Sequence, residues 1–567
     1  MASRQQPQEL LAVAAGIDRS HDQRSLHETT IDASWTRQGD AGPLSLKDVE
    51  AQPGEKSPAG DDIVTQTLPP SETPTPEEQQ PALVIRWVDR GTLIPTLQNP
   101  RTYTKWQKIS IVFIVALSSF SAPFASNIMM PSFPFIGPRL KLSSAGVTLT
   151  TTLFLVALGI GPLYHAFLSE RYGRRPGYLA GFIVYTLASV ACALSPTGRT
   201  LITFRFIQAF GASAAQSLGI GTIADIYVPA ERGRATGFWF LGPILGPTIS
   251  PLVGGAIYAW HGWRAILWAT AVFGVILTIL IILFLPETSL KLKSAQAHPE
   301  PTMVPNQDQN HSVKSILSLS AIATYDYGLR PLGTIFHLFT PSIFLPSLYS
   351  TLCFGSLYAL SVSLPFIFSS SPFHFKSMKI SVLYLPNCAG YCIGSVLGGY
   401  LSDWEIRKAR RRSGTEQYPP EVRLNSARWG IPLLPMGLLL FGWSACKGDD
   451  LVLPLIGGFT FGVGLMLTNG TIMAYLADAV PGKTASVVAA YNAMRNIFAG
   501  LMAAITTTAI QSGLHVGWYM TVVALVCLVS SLALEVVQRL GPGWRDAAQQ
   551  RIAREEEAAK ISPKDAV

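Results

Sequence analysis

The chain has 567 residues, 49% of them hydrophobic and only 14% charged, with a formal net charge of +8. That balance excludes a string of soluble domains and points to a membrane protein. The charge is uneven: residues 1–100 hold eight Lys and Arg against fifteen Asp and Glu, so the remainder is strongly basic, which in such a chain is first a topology signal and calls for no nucleic acid.

In chain order, residues 1–105 come first, as an acidic tail. Stretches such as PSETPTPEEQQP lack any sustained apolar period and have the composition of a disordered segment. The run LLAVAAG, Leu10 to Gly16, is too short and lacks a basic flank, so the first spanning helix is expected to act as the signal instead. Windows of about 20 apolar residues, the length that crosses roughly 30 Å of hydrocarbon, then predict twelve helices. Six lie near 109–130, 144–166, 177–195, 200–225, 234–258 and 264–285, and six near 342–368, 381–401, 430–446, 452–477, 485–508 and 518–537. A mixed segment, 288–340, separates the halves 106–287 and 341–538, and 539–567 forms a second tail. The six cysteines lie in or at the ends of the apolar runs, where small-residue packing accounts for them; Cys388 and Cys392 share a helix face but lack the further ligands a metal needs.

The even-numbered connections hold seventeen Lys and Arg and the odd-numbered ones seven, which places the even connections and both termini in the cytoplasm. The sequons at Asn310 and Asn469 then fall in a cytoplasmic loop and inside helix 10, so neither should carry sugar. The halves repeat: AFLSERYGRR after helix 2 is echoed by GYLSDWEIRK after helix 8, and IADIYVPAERGRA at the end of helix 4 by LADAVPGKTA at the end of helix 10. Two similar six-helix halves are a plan of secondary transporters, with the ligand site near the midplane between them.

Glu170, Arg171, Gly173, Arg174 and Arg175 crowd into the connection between helices 2 and 3. Positive-inside anchoring would ask for the arginines alone. Here Glu170 ends helix 2, Gly173 permits a tight turn, and Arg174 and Arg175 offer donors to carboxylates or helix C-termini, with Asp225 as a partner. Asp403 is the counterpart of Glu170 in the second half. Such a cluster can latch two halves in one state and release them in the other. In helix 5, Gly242, Gly246, Gly254 and Gly255 give a flat face for close helix contact, and Pro243, Pro247 and Pro251, four residues apart, free carbonyls and permit bending.

The stretch GPLYHAFLSERYGRRP resembles the loop that marks the major facilitator superfamily, in the form common among fungal twelve-helix drug:proton antiporters. The resemblance runs from about Ser110 to Arg539 and includes RFIQAFGASAAQS, DIYVPAERGRA, GPILGPTISPLVGG, LPETS, YLPNCAGYCIGSVLGGYLSD and AAYNAMRN, in that order. It implies the major facilitator fold, all-α, with two six-helix bundles related by a pseudo-two-fold axis. It also implies that Glu170, Arg174, Arg175 and Asp225 form a gating charge network, and that the helix 5 motif marks exporters. Ser250 stands where this family often has another glycine, and Ala209 likewise follows Gln208.

Two arginines fall inside the membrane, where a charge costs several kcal/mol and is a candidate for function. Arg205 is placed about five residues, roughly 8 Å, below the outer end of helix 4, and Arg495 about ten residues, roughly 15 Å, into helix 11. On helical spacing Arg205, Gln208 and Gln216 share one face, as do Asn492 and Arg495; Asn127 occupies the region of helix 1 where an acid could have served. No Asp or Glu lies near the midplane of the predicted helices, so the cavity is expected to be positive. His165, close to the end of helix 2, is not the first choice for a proton carrier. The PGKT of Pro481 to Thr484 lacks the first glycine and the strand-to-helix setting of a phosphate loop, and no catalytic constellation stands out, so ATP, cofactors, metals and an enzyme reading are set aside. The expected protein is a monomeric, plasma-membrane exporter of a small organic solute, an organic acid or acidic secondary metabolite, coupled to protons. The alternatives are a broad drug:proton antiporter and, more remotely, a transporter-like sensor acting through the acidic tail.

Overall fold

Each apolar run becomes a helix, and most begin and end at chemically legible caps. The computed structural model describes residues 91–97, 99–289, 333, 335, 338–414, 419–447, 450–479 and 484–544; most of the acidic tail, most of 290–337 with Asn310, and the last residues lie outside them. The helices are α1 (Lys105–Asn127), α2 (Ser144–Tyr172), α3 (Arg174–Leu194), α4 (Gly198–Ala212 and Ala214–Ile226), α5 (Pro229–His261), α6 (Trp263–Phe284), α7 (Pro341–Ser369), α8 (Leu385–Ser413), α9 (Gly430–Lys447), α10 (Val452–Ala479), α11 (Thr484–Gln511) and α12 (Val516–Ser530, continued to 544). Thr104 opens α1 with a reciprocal cap to Gln107, Ser143 caps α2 through the Gly146 N–H at 3.1 Å, and Gly414 closes α8 in the left-handed conformation.

Among the described residues eleven helices are long and apolar enough to cross a membrane. The twelfth, α4, corrects the expectation of one unbroken helix: it ends at Ala212 and restarts at Ala214, with Ser213 as the joint. The cause is lateral crowding. Gly161 of α2 lies so close to Ser213 that a Cβ there would overlap the serine side chain, and Gly181 of α3 packs on Ala214 and the Gly211 carbonyl. A second correction concerns α8, which runs to Ser413 rather than stopping near 401, because its polar end is helical by propensity and invisible to hydropathy.

The two halves are joined by small residues. Gly159 of α2 sits under the Ala493 carbonyl of α11, Gly500 of α11 lies against the Thr152 carbonyl, and Thr148 shares a 2.8 Å hydrogen bond with Thr507. On the other side of the molecule Gly255 of α5 abuts Ser381, the Cys388 thiol donates to the Thr248 carbonyl at 3.1 Å, and Ser132 meets Ser377 at 3.2 Å. These contacts lie between the middle of the bundle and the end where α2 begins, here the far end. At the other, charged end, the ion pairs among the described residues each stay within one half.

Candidate functional site: a charged latch and a polar centre

The charged end is built around a helix start. Gly173 has φ +104°, which lets the chain leave α2 and enter α3 with no intervening loop. The first N–H groups of α3, those of Arg174 and Arg175, donate to the two carboxylate oxygens of Glu287 at 2.9 and 3.0 Å. A buried carboxylate on a helix N-terminus meets both the orphan donors and the positive end of the helix dipole. The Arg174 side chain turns back, with Nε 3.2 Å from Asp225 and Nη1 2.8 Å from Ser169, while Arg175 is buried and donates to the Ile282 carbonyl at 2.8 Å. Glu170 and Arg171 are exposed near the end of α2, which runs on to Tyr172.

The second half repeats the arrangement with a different donor. Arg423, in the turn before α9, reaches Asp478 at 2.6 Å and Ser402 at 3.3 Å, so Ser402 and Asp478 match Ser169 and Asp225. Asp403, the expected counterpart, is exposed. Glu287 and Arg423 are the two members of these clusters that the sequence does not single out.

The interior arginines have different surroundings. Arg205 is fully buried: Nη1 donates to the Ala125 carbonyl and to Gln208 Oε1, each at 2.9 Å, and the guanidinium lies 4.5 Å from the centre of the Phe154 ring. Gln208 extends the network to Ser189 of α3 and Thr270 of α6, at 2.7 and 3.3 Å. Arg205 therefore ties together helices of the first half from a fully buried position, with its Nε and Nη2 lacking a hydrogen-bond partner among the described residues. Gln216, half-buried, lies beyond the joint at Ser213, in the second segment of α4.

Arg495 is half-buried and makes no hydrogen bond or ion pair among the described residues. Its guanidinium stacks 4.2 Å from the Phe354 ring of α7 and 5.4 Å from Tyr491, and its Nε is buried without a partner. Phe354 packs edge-on against Tyr358, whose hydroxyl lies against Ser126 and Asn127 of α1. Asn127, Pro247, Pro251, Asn387 and Tyr391 surround one small space between the halves, and the side-chain oxygens of Asn127, Asn387 and Asn492 are buried without protein partners. Tyr491 is fixed by Ser350 and Asn469 at 2.6 and 2.8 Å, which accounts for the sequon asparagine inside α10. The helix 5 motif divides its labour: Gly242, Gly246 and Gly254 lie flush against the α1 backbone, Gly255 faces the other half, and Pro247 and Pro251 border the central space, while Pro243 stands within the unbroken helix.

Two six-helix halves that meet around a polar centre, with repeated ion-paired turns at one end, define a membrane carrier for small molecules. Residues 115–504 match the Major Facilitator Superfamily, and the chain belongs to it; it is a transporter and not an enzyme. It is 28% identical to the MFS antiporter QDR3 of Candida albicans over 80% of this chain and 81% of the relative. It is 26% identical to quinidine resistance protein 3 of Saccharomyces cerevisiae over 80% and 85%, and 31% identical to the MFS-type transporter atr4 of Stereocaulon alpinum over 76% and 77%. In structure it resembles a bacterial homologue of the human lysosomal transporter Spinster, solved inward-facing and unoccupied, with a TM-score of 0.52, 16% identity and coverage of 79% and 98%. That likeness establishes the fold. Among its relatives the chain groups with fungal antiporters.

Proposed function

We propose that the protein exports amphiphilic organic molecules that carry an acidic group, such as acidic secondary metabolites, in exchange for protons. The observation that carries this reading is Arg495, a half-buried cation held by aromatic faces rather than by a carboxylate. An arginine so placed has its planar donor edge available for a bidentate anion, and the adjoining rings suit an aromatic or aliphatic body. The unpartnered carbonyl oxygens of Asn127, Asn387 and Asn492 would accept hydrogen bonds from hydroxyl or amide groups of the same ligand. Small hydrophilic di- and tricarboxylates fit this centre less well, since Arg205 is fully buried within the first half. In this reading the charged end faces the cytoplasm of the plasma membrane, as the distribution of Lys and Arg argues, and one copy of the chain suffices.

A second reading, broad export of hydrophobic drugs, draws support from the quinidine-resistance name of one relative and from the aromatic lining around Phe354 and Tyr358. Efflux from a transporter-deficient yeast strain separates the two. Arg495→Ala should reduce export of an amphiphilic carboxylic acid by about tenfold or more, the size of one lost charge-assisted pair, and leave quinidine export close to that of the unchanged protein. Equal loss of both solutes would refute a charge-reading role for Arg495, and no flux of either from the unchanged protein would refute export itself.

A further inference from the structure

We propose that His165 is the proton-binding residue of the transport cycle and that the break in α4 is the joint through which it acts. The inference rests on the proton-driven export reading above. It begins with a scarcity: within the described spanning helices the carboxylates lie toward the charged end, leaving the interior with arginines, tyrosines, the thiols of buried cysteines and His165, the group among them whose ordinary titration falls near neutral pH and changes it between neutral and cationic. The imidazole is 6% exposed, on the face of α2 that packs on α4 and α3.

Its position is specific. The first segment of α4 ends at Ala212, so the Phe210 carbonyl is one of the last four in that segment and has no place in a continuing helical ladder. Two groups reach it instead, Ser213 Oγ at 2.6 Å and His165 Nε2 at 3.0 Å, and the His165 ring packs 5.0 Å from the Phe210 ring. A carbonyl can only accept, so Nε2 carries the hydrogen and Nδ1 holds the lone pair. Proton uptake forms an N–H bond at Nδ1 and makes the ring an imidazolium; the bond from Nε2 to the break then becomes charge-assisted and stronger. Loss of that proton restores the neutral ring and a weaker hold on the break.

The break divides α4 functionally. On one side it carries Arg205 and Gln208, anchored to α1, α3 and α6; on the other it carries Asp225, the partner of Arg174 in the latch. A change in how firmly the joint is held therefore bears on the latch. One turn beyond His165 on the same face of α2, Ser169 receives Arg174. The charged and titratable groups on the surrounding elements are Arg199, Arg205 and Asp225 on α4, Arg174, Arg175, Tyr178, Tyr185 and Cys192 on α3, Tyr164, Glu170, Arg171 and Tyr172 on α2 itself, and Tyr491 and Arg495 on α11, which crosses α2 at Gly159. No carboxylate of this set lies in the interior to compete for the proton.

The test uses the purified full-length protein in liposomes, with quinidine and an amphiphilic carboxylic acid as probes and a pH dye trapped inside. His165→Gln keeps a donor for the Phe210 carbonyl but cannot take up a proton. Accumulation driven by a pH gradient should fall about tenfold or more, an ordinary coupling free energy between two sites, while probe-for-probe exchange continues and loses its dependence on pH. Retained gradient-driven accumulation in His165→Gln would overturn the proposal and leave the export reading standing. If both His165→Gln and His165→Asn reach the membrane as monodisperse protein yet lose exchange as well, His165 only supports the packing of α4, and the proposal also fails. A lack of flux from the unchanged protein would instead sink the export reading on its own.

Discussion

Gly173 is held at φ +104° with the Glu287 carboxylate beside it, so close that a Cβ would lie 2.5 Å from Oε2. Both facts penalise any side chain at this position. Gly173→Ala should lower stability by about 1–3 kcal/mol, through a left-handed backbone that alanine disfavours and through displacement of the carboxylate that caps α3. Thermal unfolding of the solubilised protein, followed by size-exclusion fluorescence, measures this, and an unchanged melting temperature would contradict it. Glu287→Gln, which keeps one acceptor for the two N–H groups, should be milder. The glycine and the arginines were legible in SERYGRRP because their chemistry is local. Glu287 was not, since its partners lie 113 and 112 residues away and nothing in LPETS names them. Arg423 escaped notice for a related reason: in the first half the arginine follows its serine by 5 residues, whereas in the second it follows by 21.

At the scale of helices, α5 was the most readable element. The spacing of Gly242, Gly246 and Gly254 implied a flat ridge, and each is found against backbone atoms of α1 near Ala116, Phe120 to Phe124 and Ile128. Ser250, which continues the ridge, is buried with its hydroxyl unpartnered. A matched pair of substitutions isolates this packing from helix propensity. Gly254→Ala would drive a methyl group into the Ile128 carbonyl and should destabilise the protein by several kcal/mol, seen as loss of monodisperse material after solubilisation. Gly237→Ala, on the same helix with nothing within 4 Å of the added carbon, should be neutral or stabilising by up to about 1 kcal/mol. Equal effects at the two positions would remove the packing argument. The interruption of α4 was not legible, because neither proline nor charge marks Ser213. It arises from contacts with α2 and α3, which become known only when the bundle is assembled.

For the molecule as a whole, twelve spans and a division into halves could be read from hydropathy and from the paired motifs, but the state of the carrier could not, because it depends on which end holds the halves together. Here they are joined toward the far end, by Thr148 with Thr507 on one side and by Ser132 with Ser377 on the other, while each half keeps its own ion pairs at the charged end. Alternating access requires these far-end contacts to separate in the opposite state. A covalent bond across them should therefore arrest the cycle without disturbing the fold. The hydroxyls of Thr148 and Thr507 are 2.8 Å apart, so the double variant Thr148→Cys with Thr507→Cys brings two thiols into range for oxidation. Oxidised, it should lose transport of quinidine or an acidic probe almost completely, and reduction should restore it. Each single variant should transport with or without oxidant. If the cross-linked protein, verified by mass spectrometry, still moves substrate at the reduced rate, then the far end does not open during transport, and the contacts that join α2 to α11 are a permanent hinge rather than a gate.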